Sequence, residues 1–135
     1  MSIEISSHLK QRLLEEKVAW LTTVRADGVP QPTPIWFLWQ QGTFLVYSKP
    51  DARKVRNIRR NPHVALNFNT DESGEHVVVF RGEAAVEEGA PLADLVPAYL
   101  DKYRQGIIDL EMTPESMAQE YSVAIRITPR SVRDD

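Results

Sequence analysis

The chain has 135 residues, enough for one domain that buries about two-thirds of the surface its unfolded chain would expose. Its formal net charge of -3 argues against a protein that binds nucleic acid non-specifically, and the lack of cysteine excludes disulfides, thiolate metal sites and a cysteine nucleophile. No apolar run is long enough to span a bilayer, and the N-terminus has no signal-peptide segment. We therefore expect a single cytoplasmic domain over residues 1–135.

The first elements are predicted to be a helix and a strand. Leu9 and Leu13 form the apolar stripe of a helix that Ser6 or Ser7 can cap. The segment Val18–Val24 is rich in β-branched and aromatic residues and predicts a strand.

A hairpin turn then leads into a return strand of unusual composition. Asp27-Gly28 is typical of a tight turn, and the return strand covers about Gln31–Gln40. Its first half contains prolines, which cannot donate to a strand ladder, so this half should lie at a sheet edge or a bulge. The following segment Ile35–Trp39 is apolar on both faces, which predicts a second covered surface.

The most informative segment is a basic helix that follows the next strand. Asp51 is a suitable N-cap, and Val55 with Ile58 gives an apolar pair for the core. Arg53 and Lys54 fall in the first turn, where the helix dipole already favours negative charge. Cations at this position are unfavourable for a purely structural helix, so they point to an anionic ligand.

The same segment offers further groups for an anion. Ser48 and Lys49 arrive from the preceding strand, beside Arg53 and Lys54. A hydroxyl, three cations and free amide groups at a helix start would together hold a phosphate. A solvated basic face is the simpler interpretation for Arg56, Arg59 and Arg60.

Two further strands are predicted after this helix. The segment His63–Asn69 alternates between apolar and polar residues, and Glu75–Glu87 reads as a long strand. Gly82 interrupts the second strand, which indicates a bulge or a close approach of another backbone.

Helical patterns separate these strands from the last one. The segment Pro91–Arg104 is amphipathic, with Pro97 predicting a kink or two shorter helices and Gly106 a helix end. Thr113 can cap a short helix after it.

One more strand completes the predicted architecture. It covers Tyr121–Thr128, and the charged tail after Pro129 is expected to be loose. Six strands at hairpin spacing with few helices favour a mainly β fold, namely a six-stranded antiparallel β-barrel.

The side chains do not assemble a catalytic centre. The spacing of the histidines fits no metal motif, so we expect no metal site. No serine lies in a nucleophile elbow, and the glycines form neither a Walker loop nor a dinucleotide fingerprint. A bound cofactor that the protein orients is the economical inference. The three histidines are His8, His63 and His76.

Three motifs in sequence order resemble a known family. They are the strand Ala19–Val24, the proline-rich segment Asp27–Phe37 and the basic segment Tyr47–Pro62. Together they are similar to the pyridoxamine 5′-phosphate oxidase-like split-barrel flavoproteins, and more closely to their compact subgroup of coenzyme F-420-dependent oxidoreductases. The resemblance covers about Val18–Thr128 and implies a split β-barrel homodimer with two cofactor sites along the subunit interface.

The resemblance also implies which residues bind the cofactor. The backbone of Pro34-Ile35-Trp36 should lie against the edge of a tricyclic ring, in agreement with an irregular strand whose backbone groups are free. No catalytic side chain is named. The residues implied to bind the cofactor phosphate are Ser48, Lys49, Arg53 and Lys54, with Asn57 nearby.

The sequence departs from the name-giving enzymes at its end. It stops soon after Ile127-Thr128-Pro129-Arg130, without the longer segment with which those enzymes hold pyridoxal phosphate. We therefore do not expect pyridoxamine phosphate oxidase activity.

The expected function is an oxidoreductase that transfers a hydride between reduced coenzyme F-420 and an unidentified small organic acceptor. FMN in the same fold is the nearest alternative. A non-catalytic carrier of the cofactor is a second alternative, because no acid or base is evident in the sequence. A haem-binding split barrel is a third, although no histidine has a setting that argues for axial ligation.

Overall fold

The computed structural model describes residues 3–135, and within that range the chain forms seven strands, four α-helices and one 3-10 turn. The strands are β1 (Ala19–Val24), β2 (Pro30–Ile35), β3 (Leu38–Gln40), β4 (Thr43–Ser48), β5 (His63–Asn67), β6 (Val78–Val86) and β7 (Val123–Asp134). The helices are α1 (Ser7–Glu15), α2 (Arg53–Arg60), α3 (Pro97–Asp109) and α4 (Pro114–Glu120), with the 3-10 turn at Ala93–Leu95.

All strands belong to one antiparallel sheet in the order β2-β1-β5-β6-β7-β4-β3. The two edge strands, β2 and β3, are separated along the chain only by Trp36 and Phe37. The sheet must therefore curl until its edges adjoin at these two residues, which gives the expected split barrel. The prediction of a mainly β antiparallel fold is confirmed, with seven strands rather than six because the return strand breaks at Trp36-Phe37.

Two apolar clusters lie on opposite faces of this curled sheet. Four phenylalanines fill the interior, and each of them is at most 2% exposed. On the outer face, α3 and α4 cover Leu38 and Leu45 of β3 and β4. The second apolar face of the segment Ile35–Trp39 is thus buried by helices of the same chain. The interior phenylalanines are Phe37, Phe44, Phe68 and Phe80.

The end of the sheet differs from the sequence prediction. The tail after Pro129 was expected to be loose, but β7 continues to Asp134 and pairs with β6 as far as Val78. Pairing satisfies the backbone of this charged segment, which side-chain periodicity does not reveal. Gly82 marks the predicted irregularity, because the register between β6 and β7 shifts there.

The structure corrects two predicted helix boundaries and confirms one. Asp51 is not the N-cap of α2; Ala52 holds that position, without a side-chain hydrogen bond to the helix. Gly106 does not end α3, which continues to Asp109. The interruption predicted at Pro97 is confirmed, since a 3-10 turn precedes it and the proline occupies the first turn of α3.

No helix among residues 3–135 is long and apolar enough to cross a membrane.

Candidate cofactor site

The first turn of α2 presents cations without a side-chain cap. Val55 and Ile58 are buried and fix the helix against the sheet, which leaves Arg53 exposed and Lys54 half-buried. Because no side chain caps this helix start, its first amide groups remain available to an anionic ligand.

The two lysines of the predicted phosphate site differ in their surroundings. Lys49 forms an ion pair of 3.1 Å with Glu120, and the hydrogen bond to this carboxylate raises the pKa of Lys49. Lys54 has no ion-pair partner in the described part of the chain, and partial burial lowers its pKa. A desolvated cation without a counter-ion gains more from an incoming anion than a paired one, so Lys54 is the stronger phosphate candidate.

Within the protomer, the side chains of Ser48 and Asn57 are buried and form hydrogen bonds to other groups of the same chain. The Ser48 hydroxyl is fully buried and donates to the Lys49 carbonyl over 3.0 Å. The Asn57 side-chain amide donates to Thr23 and to Gln31, both over 2.9 Å. The two Asn57 bonds tie α2 to β1 and β2 and thereby fix where the cations of α2 lie.

A cavity of about 300 Å³ brings the two predicted halves of the site together. Its wall contains Pro34, Ile35 and Trp36 on one side and Lys54 on the other. The remaining wall is apolar and aromatic and includes residues of α3 and α4. These further lining residues are Val18, Tyr47, Tyr99, Leu110, Met117 and Tyr121.

Two more cavities continue from this one along α2. The second is lined by β2 residues together with Arg53 and Lys54, and shares Lys54 with the first. The third shares Gln31 and Arg53 with the second. These common residues make the three cavities neighbours along α2, and we call them together the groove, which is apolar at one end and cationic at the other. Four arginines line the cationic end, namely Arg25, Arg53, Arg56 and Arg60.

The backbone at the apolar end is open to a ligand. Trp36 belongs to neither edge strand, and its main chain makes no hydrogen bond in the described part of the chain. Phe37, by contrast, donates its amide to the Tyr103 hydroxyl over 2.8 Å. Backbone groups without partners beside an apolar cavity can bind the polar edge of a planar ring.

The groove therefore fits a molecule with a planar apolar part and an anionic part. Lys54 lines both the first and the second cavity. A ring would contact the aromatic wall, and a phosphate would contact the start of α2. The predicted ring segment and the predicted phosphate segment thus border the same groove.

Sequence reasoning missed the aromatic wall and part of the cationic end. Tyr99, Met117 and Tyr121 lie on the helical insertion between β6 and β7, far along the chain from the proline-rich segment. Their periodicity predicts burial but not the cavity they line. Arg25 precedes the hairpin turn, and only the packing of α2 on β1 brings it near Arg60.

Three potential metal ligands also lie together, outside the groove. The ligand atoms of Asp71, Glu75 and His76 are within 4.8 Å of one another, and all three residues are exposed. An exposed cluster of this kind is common without an ion, and it lies in the β5–β6 turn rather than beside the groove.

The profile of the pyridoxamine 5′-phosphate oxidase family matches residues 5–134, which is nearly the whole chain. The chain belongs to this family. No curated protein matches the chain. Family membership confirms the resemblance on which the ring and phosphate segments were predicted.

Solved structures of the same fold include proteins with different ligands. An F-420 reductase is 26% identical with a TM-score of 0.68, covering 93% of this chain and 96% of its own. A FAD-binding protein from Mesorhizobium loti is 20% identical with a TM-score of 0.64, covering 95% and 92%. A haem storage protein from Vibrio cholerae is 19% identical with a TM-score of 0.68, covering 98% and 95%. The last two similarities show the fold alone.

Proposed function

We propose that this protein is an oxidoreductase that transfers a hydride between reduced coenzyme F-420 and a small organic acceptor. The observation that carries the proposal is the place of Lys54, which lines both the apolar cavity beside Pro34-Ile35-Trp36 and the cavity that Arg53 borders at the start of α2.

Each part of the groove has a role in holding the cofactor. Lys54 and Arg53 bind the phosphate, and the unpaired backbone of Trp36 contacts the ring edge. The aromatic wall from α3 and α4 excludes water from the ring. When bound, the deazaflavin ring supplies the hydride chemistry, and the protein supplies orientation and desolvation.

The cationic end favours F-420 over FMN. FMN ends in its phosphate, whereas F-420 continues from its phosphate into a tail of glutamates. Beyond the phosphate candidates, Arg25, Arg56 and Arg60 line a third cavity of about 400 Å³. Guanidinium groups bind carboxylates well, so the glutamate tail of F-420 can bind in this third cavity. The 26% identity to an F-420 reductase supports the same choice.

A cofactor carrier is the second candidate, from a different functional class. No carboxylate and no histidine lines the apolar cavity in the described part of the chain. Lys54 and three tyrosines are its titratable groups, and burial raises the pKa of Tyr47 and Tyr99. A raised pKa makes these tyrosine hydroxyls weak acids, so the site could hold a cofactor without turning it over.

A turnover experiment separates these two candidates. Reduced F-420 is mixed anaerobically with the protein and a panel of quinones, nitroaromatics and enones, and the return of oxidised deazaflavin absorbance is followed. The proposal expects re-oxidation that depends on both protein and acceptor and that falls when Arg53 and Lys54 are changed to glutamine. Tight binding of F-420 without re-oxidation by any acceptor would instead favour the carrier.

A homodimer with cofactor sites along its interface is part of the proposal. It rests on the resemblance, since the second apolar face of the segment Ile35–Trp39 is covered by helices of the same chain and does not need a partner subunit.

A further inference from the structure

The junction between the two edge strands is held by residues of α3 that do not line the apolar cavity. Trp36 and Phe37 form this junction, and α3 packs on it. The main chain just before Phe37 is the part proposed to contact the cofactor ring. The groups that hold Trp36 and Phe37 in place therefore determine where this backbone would contact the cofactor ring.

Tyr103 holds the backbone at the junction. Its buried hydroxyl accepts a hydrogen bond from the Phe37 amide over 2.8 Å. It lies 2.7 Å from the Lys17 carbonyl and 3.0 Å from the Phe37 carbonyl. Lys102 already donates to the Phe37 carbonyl over 2.9 Å. We therefore assign the single proton of the Tyr103 hydroxyl to a hydrogen bond with the Lys17 carbonyl. Tyr103 thus links α3 to the residues before β1 and after β2.

Tyr103 also holds the side chain at the junction. Its ring stacks on the Trp36 indole with 4.5 Å between centroids and 5° between planes. Gly106, one turn further along α3, makes room for the same indole. A Cβ atom at position 106 would lie 3.0 Å from the Trp36 Cη2 atom and 3.1 Å from Cζ2. The helix therefore fixes both the backbone and the indole of this segment.

We propose that Tyr103 and Gly106 are positioning residues for the cofactor ring, acting through Trp36 and Phe37. Neither residue lines the apolar cavity in the described part of the chain, so their effect on the ring is indirect. A misplaced ring-edge segment weakens contacts to the ring but not contacts to the phosphate, because the phosphate cations lie on α2. This inference rests on the proposed function.

Two substitutions and two probes test the inference. Tyr103→Phe keeps the stacked ring but removes the hydroxyl, and Gly106→Ala places a methyl group against Trp36. F-420 reports on the whole site, and ribitol 5-phosphate, which has no ring, reports on the phosphate end. Both substitutions are expected to weaken F-420 binding about tenfold and to leave the affinity for ribitol 5-phosphate unchanged. In the Tyr103→Phe variant, hydrogen exchange at the Phe37 amide should also accelerate.

The controls separate positioning from loss of stability. Ile107→Val removes a buried methylene from the same helix but keeps the Tyr103 hydroxyl and the ring stacked on Trp36, and it should change neither affinity. Alanine is a better helix former than glycine, so a loss of F-420 affinity in Gly106→Ala cannot come from a weaker helix. If the Tyr103→Phe variant does not fold, Gly106→Ala decides alone.

The outcomes are distinguishable. Unchanged F-420 affinity in Gly106→Ala and in a folded Tyr103→Phe variant would overturn the positioning role while the proposed function stands. Equal losses for both probes would also overturn it, because the helix would then act on the whole groove. A wild-type protein that binds neither F-420 nor FMN would overturn the proposed function itself.

Discussion

Lys54 and Arg53 are the residues on which cofactor affinity should depend most. Charge-assisted hydrogen bonds to phosphate contribute roughly 1.5–3 kcal/mol each. Replacing both residues by glutamine should therefore weaken F-420 binding by at least about tenfold without unfolding the protein. Isothermal titration calorimetry on the double variant measures this loss.

The matched control removes two positive charges elsewhere. Arg59 and Arg104 are exposed and pair with Glu88 and Asp101. Changing both to glutamine alters the net charge equally but leaves the groove intact. An equal loss of affinity in the two double variants would show that the cations act only as a diffuse field.

The titration of Lys54 gives a pH dependence with a definite sign. Partial burial lowers its pKa below that of an ordinary lysine, so it loses its proton earlier as the pH rises. Affinity for the cofactor phosphate should then fall as the pH passes through this lowered pKa. Binding curves between about pH 7 and 10.5 measure the fall.

Lys54→Arg is the control for this pH dependence, since a guanidinium stays charged throughout that range. Its affinity should stay flat where the wild-type affinity falls. Identical pH profiles for the two proteins would assign the titration to another group.

The type and position of a residue in the sequence identified only some of the predicted phosphate residues. Arg53 and Lys54 stood out because cations in the first turn of a helix oppose its dipole. Ser48 was predicted from its place beside these cations and Asn57 only from the resemblance, and within the protomer both side chains are buried in hydrogen bonds to other protein groups. Sequence pattern cannot tell a polar side chain that binds a ligand from one that satisfies its own backbone.

At the scale of elements, the contact between β6 and β7 depends on Gly82. A Cβ atom there would overlap the Thr128 carbonyl oxygen, which belongs to the backbone of β7. Gly82→Ala should therefore destabilise the protein by about 2 kcal/mol or more. Urea unfolding compares it with Ser131→Ala, an exposed change on the same strand pair that should be nearly neutral. Similar midpoints for the two variants would contradict the close approach.

Two of the element boundaries that prediction missed share one cause. The tail after Pro129 has no apolar alternation, yet it is a strand because β6 satisfies its backbone. Glycine is typical of a helix end, yet α3 continues through Gly106. Glycine is needed there because the Trp36 indole occupies the space that a side chain would fill. Asp51 has a capping side chain, but the N-cap of α2 is one residue further on, at Ala52. Long-range packing decided the first two cases.

At the scale of the molecule, the arrangement of the barrel was predictable and its groove was not. Strand alternation and turn residues predicted the antiparallel sheet. The groove needs Pro34-Ile35-Trp36, α2 and the α3–α4 insertion in one place, and no local pattern encodes their meeting. Only the family motifs indicated that the first two belong to the same site.

The proposed assembly is a symmetric homodimer. Sedimentation velocity at micromolar concentration should give a single species of twice the mass of 15.4 kDa. Because α3 covers the apolar face of the segment Ile35–Trp39, the dimer should form without displacing that helix. Tyr103→Phe should therefore leave the sedimentation coefficient unchanged. A monomer at these concentrations would contradict both the dimer and shared cofactor sites.

The central claim is that the groove prefers F-420, and one titration tests it most directly. The purified protein, freed of cofactor, is titrated with F-420 and with FMN in the same buffer. The cations beyond the phosphate predict tighter binding of F-420, with a preference for longer glutamate tails that fades at high salt. FMN binding that is tighter by tenfold or more, about 1.4 kcal/mol, would contradict the assignment and leave FMN as the cofactor.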